Sequence, residues 1–130
     1  MKINGSLITA ALFLLMASSC KSKSADELIV NKWHLYEISG KEAEAIPDSI
    51  KTKMYKEASI EFKKGGKYET VGMGEGVKTG TYHITADGKT IITTEDGRDK
   101  ADSVSVVELT ASKMTVKEAN ADFKASFKPH

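Results

Sequence analysis

Gly80-Thr81-Tyr82-His83-Ile84-Thr85-Ala86-Asp87-Gly88-Lys89-Thr90-Ile91-Ile92-Thr93-Thr94-Glu95-Asp96-Gly97 carries two turn dipeptides, Asp87-Gly88 and Asp96-Gly97. An Asp-Gly pair suits a tight hairpin because the turn needs positive φ, which glycine adopts at no steric cost. Tyr82 and Ile84 alternate with Thr81, His83 and Thr85, the period of a strand with one face inward. Ile91-Ile92 is an apolar pair, and alternation does not say which member faces in.

The same grammar extends in both directions. Gly65-Gly66 is a further hairpin turn, and residues 72–76, Ala111-Ser112 and Asn120-Ala121 are weaker turn signals. Between them Trp33/Leu35, Ala58/Ile60/Phe62, Met114/Val116 and Phe123/Ala125/Phe127 alternate with polar residues. In residues 104–109 the apolar set changes phase, from Val104/Val106 to Val107/Leu109, which places a β-bulge there. The pattern predicts eight strands, over residues 32–39, 58–64, 67–72, 77–85, 89–95, 102–109, 113–118 and 122–128. Short strands at near-even spacing, joined by hairpins, make an antiparallel meander, and eight strands hide their edges by closing. The fold class is therefore all-β: an eight-stranded antiparallel up-and-down barrel, with a two-sheet sandwich as the alternative. Only residues 40–57 form a connection too long for a hairpin. Residues 47–55 read as a short helix, with Asp48 as its N-cap and Ile50 and Met54 on one face.

The N-terminus has a different character. Lys2 precedes an apolar run over residues 7–16, followed by the small residues Ala17, Ser18 and Ser19 and then Cys20. This is the pattern of a secretory signal, and the run falls short of the ~20 apolar residues of a membrane-spanning helix. Cys20 is the single cysteine, so it has no internal disulfide partner. Leu15-Met16-Ala17-Ser18-Ser19-Cys20 resembles the lipobox of bacterial lipoproteins, with Ala17 where Leu is usual. That resemblance implies cleavage before Cys20 and acylation of its sulfur and its new amine. One acyl chain holds a membrane only marginally, whereas two or more anchor stably. Lys rather than Asp after Cys20 implies, by the same resemblance, the outer membrane. The organisation is thus a cleaved signal over 1–19, a lipidated Cys20 with a polar tether to residue 27, and one domain over 28–130.

Composition narrows the partners. With Lys2 removed, 18 basic and 18 acidic side chains balance, so the mature chain lacks the electrostatic footprint of a nucleic-acid binder. Only Arg98 is arginine, so a bidentate phosphate clamp is not expected. His34, His83 and His130 share no metal-ligand spacing, and residues 72–76 lead into a strand rather than the helix a phosphate loop opens. The carboxylate-rich turn over residues 95–102 fits no EF-hand, and Arg98 and Lys100 compete for its acids. No nucleophile–base arrangement emerges, and no cofactor is called for.

Taken together, the chain resembles a short lipocalin-like domain of the calycin class. Asn31-Lys32-Trp33 opens the first strand where lipocalins carry Gly-x-Trp. A long connection with a helix follows, and Gly80-Thr81-Tyr82-His83-Ile84 with Asp87-Gly88 matches a hairpin typical of these domains. Val106-Val107-Glu108-Leu109-Thr110 with Lys113-Met114-Thr115-Val116 matches their late hairpin. Asn31 replaces the glycine, and no arginine lies in the last strand to cap the tryptophan. The resemblance implies Trp33 buried at one end. It also implies a small apolar or amphipathic ligand inside. Trp33 and the inward aromatics Phe62, Tyr68, Tyr82, Phe123 and Phe127 are the residues expected to meet it. Ile46, Ile50 and Met54, repeating every four residues in the long connection, are expected to pack down as one apolar stripe that makes a lid, with Ile50 and Met54 touching the ligand. The alternative is a filled barrel serving as a scaffold for protein contacts in the envelope. Both readings are non-catalytic.

Overall fold

The computed structural model describes residues 23–74 and 76–130; the signal segment and Cys20 lie outside them. Eight strands follow in chain order: β1 (Asn31–Ser39), β2 (Ser59–Lys63), β3 (Lys67–Val71), β4 (Lys78–Ile84), β5 (Thr90–Glu95), β6 (Ala101–Leu109), β7 (Met114–Glu118) and β8 (Lys124–Pro129). Each pairs antiparallel with the next, and β8 pairs with β1, so the sheet is a closed up-and-down barrel. The sandwich alternative is thereby excluded. At the Asp87-Gly88 turn Gly88 has φ 73°, as the dipeptide requires.

The bulge expected in residues 104–109 is present, as a register shift between Val106 and Glu108 against β7, but of the expected second pair only Leu109 turns toward the core, and Val107 is exposed. A second bulge lies in β1 between Leu35 and Glu37. It carries the inward phase from Trp33 and Leu35 to Ile38, all three buried. Strict alternation from Trp33 would have turned Ile38 outward.

The two ends of the barrel differ. A helix absent from the sequence reading, α1 (Ala25–Ile29), begins inside the segment read as tether. Ser24 caps it, its Oγ accepting from the Glu27 N–H, and Asp26 and Glu27 complement the helix dipole. Five residues do not hold a helix alone. This one is held by Ile29, which is fully buried, and by packing across β4 and β6. Ala25 sits against Gly88 in the β4–β5 turn. The indole Nε1 of Trp33 donates to the Ile29 carbonyl at 2.8 Å. Trp33, fully buried, and Ile29 together form the floor of a closed end.

The connection after β1 holds two helices, α2 (Lys41–Glu44) and α3 (Asp48–Glu57). The N-cap of α3 is Pro47, with Asp48 the first helical residue, a one-position correction to the expected cap. β1 has nine residues and β2 only five, so the far half of β1 lacks a strand partner on that side. α3 covers the gap. Leu35 N–H donates to the Ala58 carbonyl at 3.0 Å, and Ile38 N–H donates to the Tyr55 hydroxyl at 3.2 Å. His34 Nε2 lies 2.8 Å from the Tyr55 carbonyl. Backbone N–H groups that would otherwise be orphaned on a strand edge are thus bonded.

Candidate functional site: the barrel interior

A cavity of about 290 Å3 occupies the barrel away from the floor. Strand direction gives it a gradient. β5 runs from the closed end to the open end, and its inward residues Ile91, Thr93 and Glu95 all line the cavity, apolar at depth and charged at the mouth. Consecutive inward positions stand about 6–7 Å apart along a strand. β6 runs the other way and repeats the order in reverse, Asp102 at the mouth and Val104 deeper. Phe62, Met114, Val116 and Phe127 complete the apolar depth; Thr70, Met73, Lys78 and Arg98 stand at the mouth. Arg98, in the β5–β6 turn, donates from Nη1 to Glu95 Oε2 at 3.2 Å.

Tyr68 stands between the two zones. It is 8% exposed and lines the cavity. Its ring crosses β4 at Gly80, its partner in register. A Cβ at Gly80 would lie 2.7 Å from Tyr68 Cε1 and 2.2 Å from the Thr94 carbonyl oxygen, so only glycine fits beneath that ring. Burial pushes the Tyr68 phenol up from its ordinary value, and Glu95, Asp102 and Asp96 push it further. It is therefore a protonated hydroxyl at neutral pH.

Of the eight residues expected to meet a ligand, Phe62, Tyr68 and Phe127 line this cavity. Trp33 lies beneath it in the floor. Tyr82 points to the closed end: its hydroxyl donates to the Lys63 carbonyl at 3.0 Å, and its ring meets Phe62 edge to face at 4.7 Å. Phe123 packs partly buried against the core in the β7–β8 connection, outside the cavity lining. Ile50 and Met54 also stand outside it. Ile50 is 50% exposed and Met54 is partly buried against the core, so the stripe of Ile46, Ile50 and Met54 does not pack down as one face. The reason is the placement of α3 beside β1. The lid expected from residues 50 and 54 is not formed by them.

The polar mouth was not foreseen. Thr93, Glu95, Asp102 and Lys78 are inward by parity, yet polar residues on a strand read as outward from sequence. The available signal was the two-residue step from Ile91 through Thr93 to Glu95, once Ile91 is known to face in.

A closed eight-stranded meander with a tryptophan in a plugged end and a cavity opening at the other defines a calycin-type barrel. The chain belongs to the lipocalin-like domain family, whose pattern it matches over residues 29–116. Among solved structures it is similar to a DUF4847 family protein from Bacteroides vulgatus. That likeness has TM-score 0.53 and 13% identity, and covers 78% of this chain and 93% of the other, a likeness of fold. No curated protein matches the sequence.

Proposed function

We propose that this protein is a non-catalytic binder of a small amphipathic molecule, held at the bacterial envelope by acylation of Cys20. The observation that carries the binding reading is the interior gradient: an apolar depth, a hydroxyl midway and a charged mouth around about 290 Å3 of space. Ligand sites have this make-up, mostly apolar walls with a few placed polar groups, and begin at roughly 300 Å3. A scaffold barrel would gain by filling that space, since packing density is itself stabilising.

The anchor reading rests on the lipobox-like run before Cys20. The chain from Cys20 reaches Ala25 in five steps, at most about 18 Å. Because α1 closes the floor, a lipid at Cys20 sets the closed end toward the bilayer and the mouth toward the aqueous compartment. The ligand then arrives from water, which suits an amphipathic molecule.

Uptake of a small naphthalene fluorophore by wild type and by Val104→Trp tests the binding reading. Val104 lines the cavity, so an indole there fills it. Saturable uptake by wild type, lost in a folded Val104→Trp protein, is the expected result. A wild type that takes up no probe, or a variant that binds it equally well, overturns the reading.

A further inference from the structure

Acids and bases balance over the mature chain, yet they are not spread evenly over the barrel. β7 and β8 lie side by side, with Met114 paired to Phe127, Thr115 to Ser126, Val116 to Ala125 and Lys117 to Lys124. Met114, Ala125 and Phe127 belong to the core, so the alternate residues face out. Those outward positions read Lys113, Thr115 and Lys117 along one strand and Lys124, Ser126 and Lys128 along the other. Lysine stands at each end with a hydroxyl between. Thr115 and Ser126 are buried and bonded to each other at 2.9 Å, while Lys117, Lys124 and Lys128 are exposed. Glu118 has the opposite parity. The acids that border the flank are Glu108 on β6, with Oε1 3.5 Å from Lys113 Nζ, and Glu37 on β1, opposite Ser126. Among the described residues Lys117, Lys124 and Lys128 have no ion-pair partner.

In water this arrangement works against the fold, because Lys117 and Lys124 are directly opposite and like charges so placed repel. An anionic surface turns the same arrangement into attraction. Two uncharged side chains lie beside the lysines. The Tyr36 ring is 5.5 Å from Lys128 Nζ, and an aromatic ring with a polar tip suits the boundary between headgroups and water. Val107, on the β6 bulge next to β7, is 52% exposed and shares a groove with Ala25 and Leu28 of α1. The start of α1 thus lies against β6, the neighbour of β7. Cys20 precedes it by five steps, at most about 18 Å.

We propose that the β7–β8 flank is a membrane-contact face that seats on anionic phospholipid headgroups. This rests on the anchor reading above, which brings the flank within reach of a bilayer. Basic clusters beside a lipid anchor are drawn to anionic leaflets. Lysine is a compact point charge and suits a fluid array of phosphates, whereas a fixed bidentate clamp would ask for arginine. An acidic protein would compete with the bilayer for the same gap, which the short tether keeps narrow. The barrel leans closed end first onto β7 and β8, and the mouth at its far end stays in water.

The acylated protein, reconstituted in phosphatidylcholine vesicles with and without phosphatidylglycerol, is labelled with an impermeant amine reagent and read by mass spectrometry. Lys113, Lys117, Lys124 and Lys128 are expected to label several-fold more slowly when phosphatidylglycerol is present. Lys67 on β3 and Lys78 on β4, across the barrel, are expected to label equally in both. Salt at about 1 M shortens the Debye length to about 3 Å and is expected to abolish the difference. In Lys117→Gln/Lys124→Gln, seating is expected to weaken about fivefold per lysine, about 1 kcal/mol each, read as restored labelling of Lys128. Equal labelling in the two kinds of vesicle overturns the proposal, and so does protection that survives the salt or the double substitution. Protection by soluble polyglutamate but not by phosphatidylglycerol vesicles assigns the face to an acidic protein and overturns it too. A chain that carries no lipid yet sediments with phosphatidylglycerol vesicles through these lysines loses the anchor reading and keeps this one. A chain that sediments with neither kind of vesicle loses both.

Discussion

Trp33 is fully buried and bonded through its indole to the last residue of α1, so its removal opens the floor and orphans the Ile29 carbonyl. Trp33→Ala is expected to cost about 3–5 kcal/mol, read as a lower midpoint in chemical denaturation. A loss below about 1 kcal/mol would contradict its role in the floor. Asp87 gives a different kind of residue-scale prediction. Its carboxylate accepts from the Thr85 hydroxyl at 2.6 Å and from the Lys89 N–H at 3.0 Å. These bonds, the Thr85 hydroxyl first, hold its carboxyl below the ordinary value. A group lowered on folding stabilises the native state fully above the unfolded pKa. That contribution is lost as pH falls through the lowered folded value. Titration by NMR is expected to show Asp87 protonating at lower pH than an ordinary aspartate. Thr85→Val is expected to move its midpoint upward; an unchanged midpoint would remove Thr85 as the cause.

At the scale of elements, the helices rather than the strands separate what local sequence shows from what it does not. Ile29 and Ile50 are both isoleucines on short helices, yet one is fully buried and the other half exposed. Ile29→Ala is expected to cost about 2–5 kcal/mol. Ile50→Ser is expected to stay within about 0.5 kcal/mol of wild type, and both are checked by the same denaturation curves. If Ile50→Ser proved as costly as Ile29→Ala, the placement of α3 beside β1 would be wrong. The signal for α1 was present as Ser24-Ala25-Asp26-Glu27, a capping-box spacing ahead of apolar Leu28 and Ile29. It was masked by the polar residues before it, which read as linker. No such signal tells where α3 lies, because its seat is the unpaired half of β1, and that gap exists only once the lengths of β1 and β2 are compared in register.

For the whole molecule, the outward faces of the strands carry residues such as Lys67, Glu69, Thr81, His83, Ser103, Ser105 and Lys117, and the apolar faces turn in. That is the reverse of a barrel that crosses a membrane with its strands, which shows an apolar band outward. Among the described residues no helix is long and apolar enough to cross a membrane. The proposed membrane attachment is through a lipid on Cys20. Cys20→Ala is expected to move the protein from the membrane to the soluble fraction, or to leave it uncut, with fluorophore uptake by the folded domain unaltered. A Cys20→Ala protein still processed and still sedimenting with membranes would exclude the lipid anchor.

Strand number, hairpin turns, the β6 bulge and the inward phase of Trp33 were settled by the sequence alone, because period-two alternation and Asp-Gly or Gly-Gly turns are local properties of the chain. Closure of β8 onto β1, the plugging of one end by α1 and the position of the cavity were settled only by the tertiary structure. So were the approach of Tyr68 over Gly80 to Glu95, and the placement of Asp102 near them. These residues lie on different strands, and their meeting depends on register and on which end of the barrel each strand begins. Polarity by itself pointed Glu95 and Asp102 outward. They face the cavity because the pleat carries the inward phase of buried Ile91 through half-buried Thr93 to Glu95, and that of half-buried Val104 to Asp102. A strand cannot turn one side chain out without turning all of its alternates.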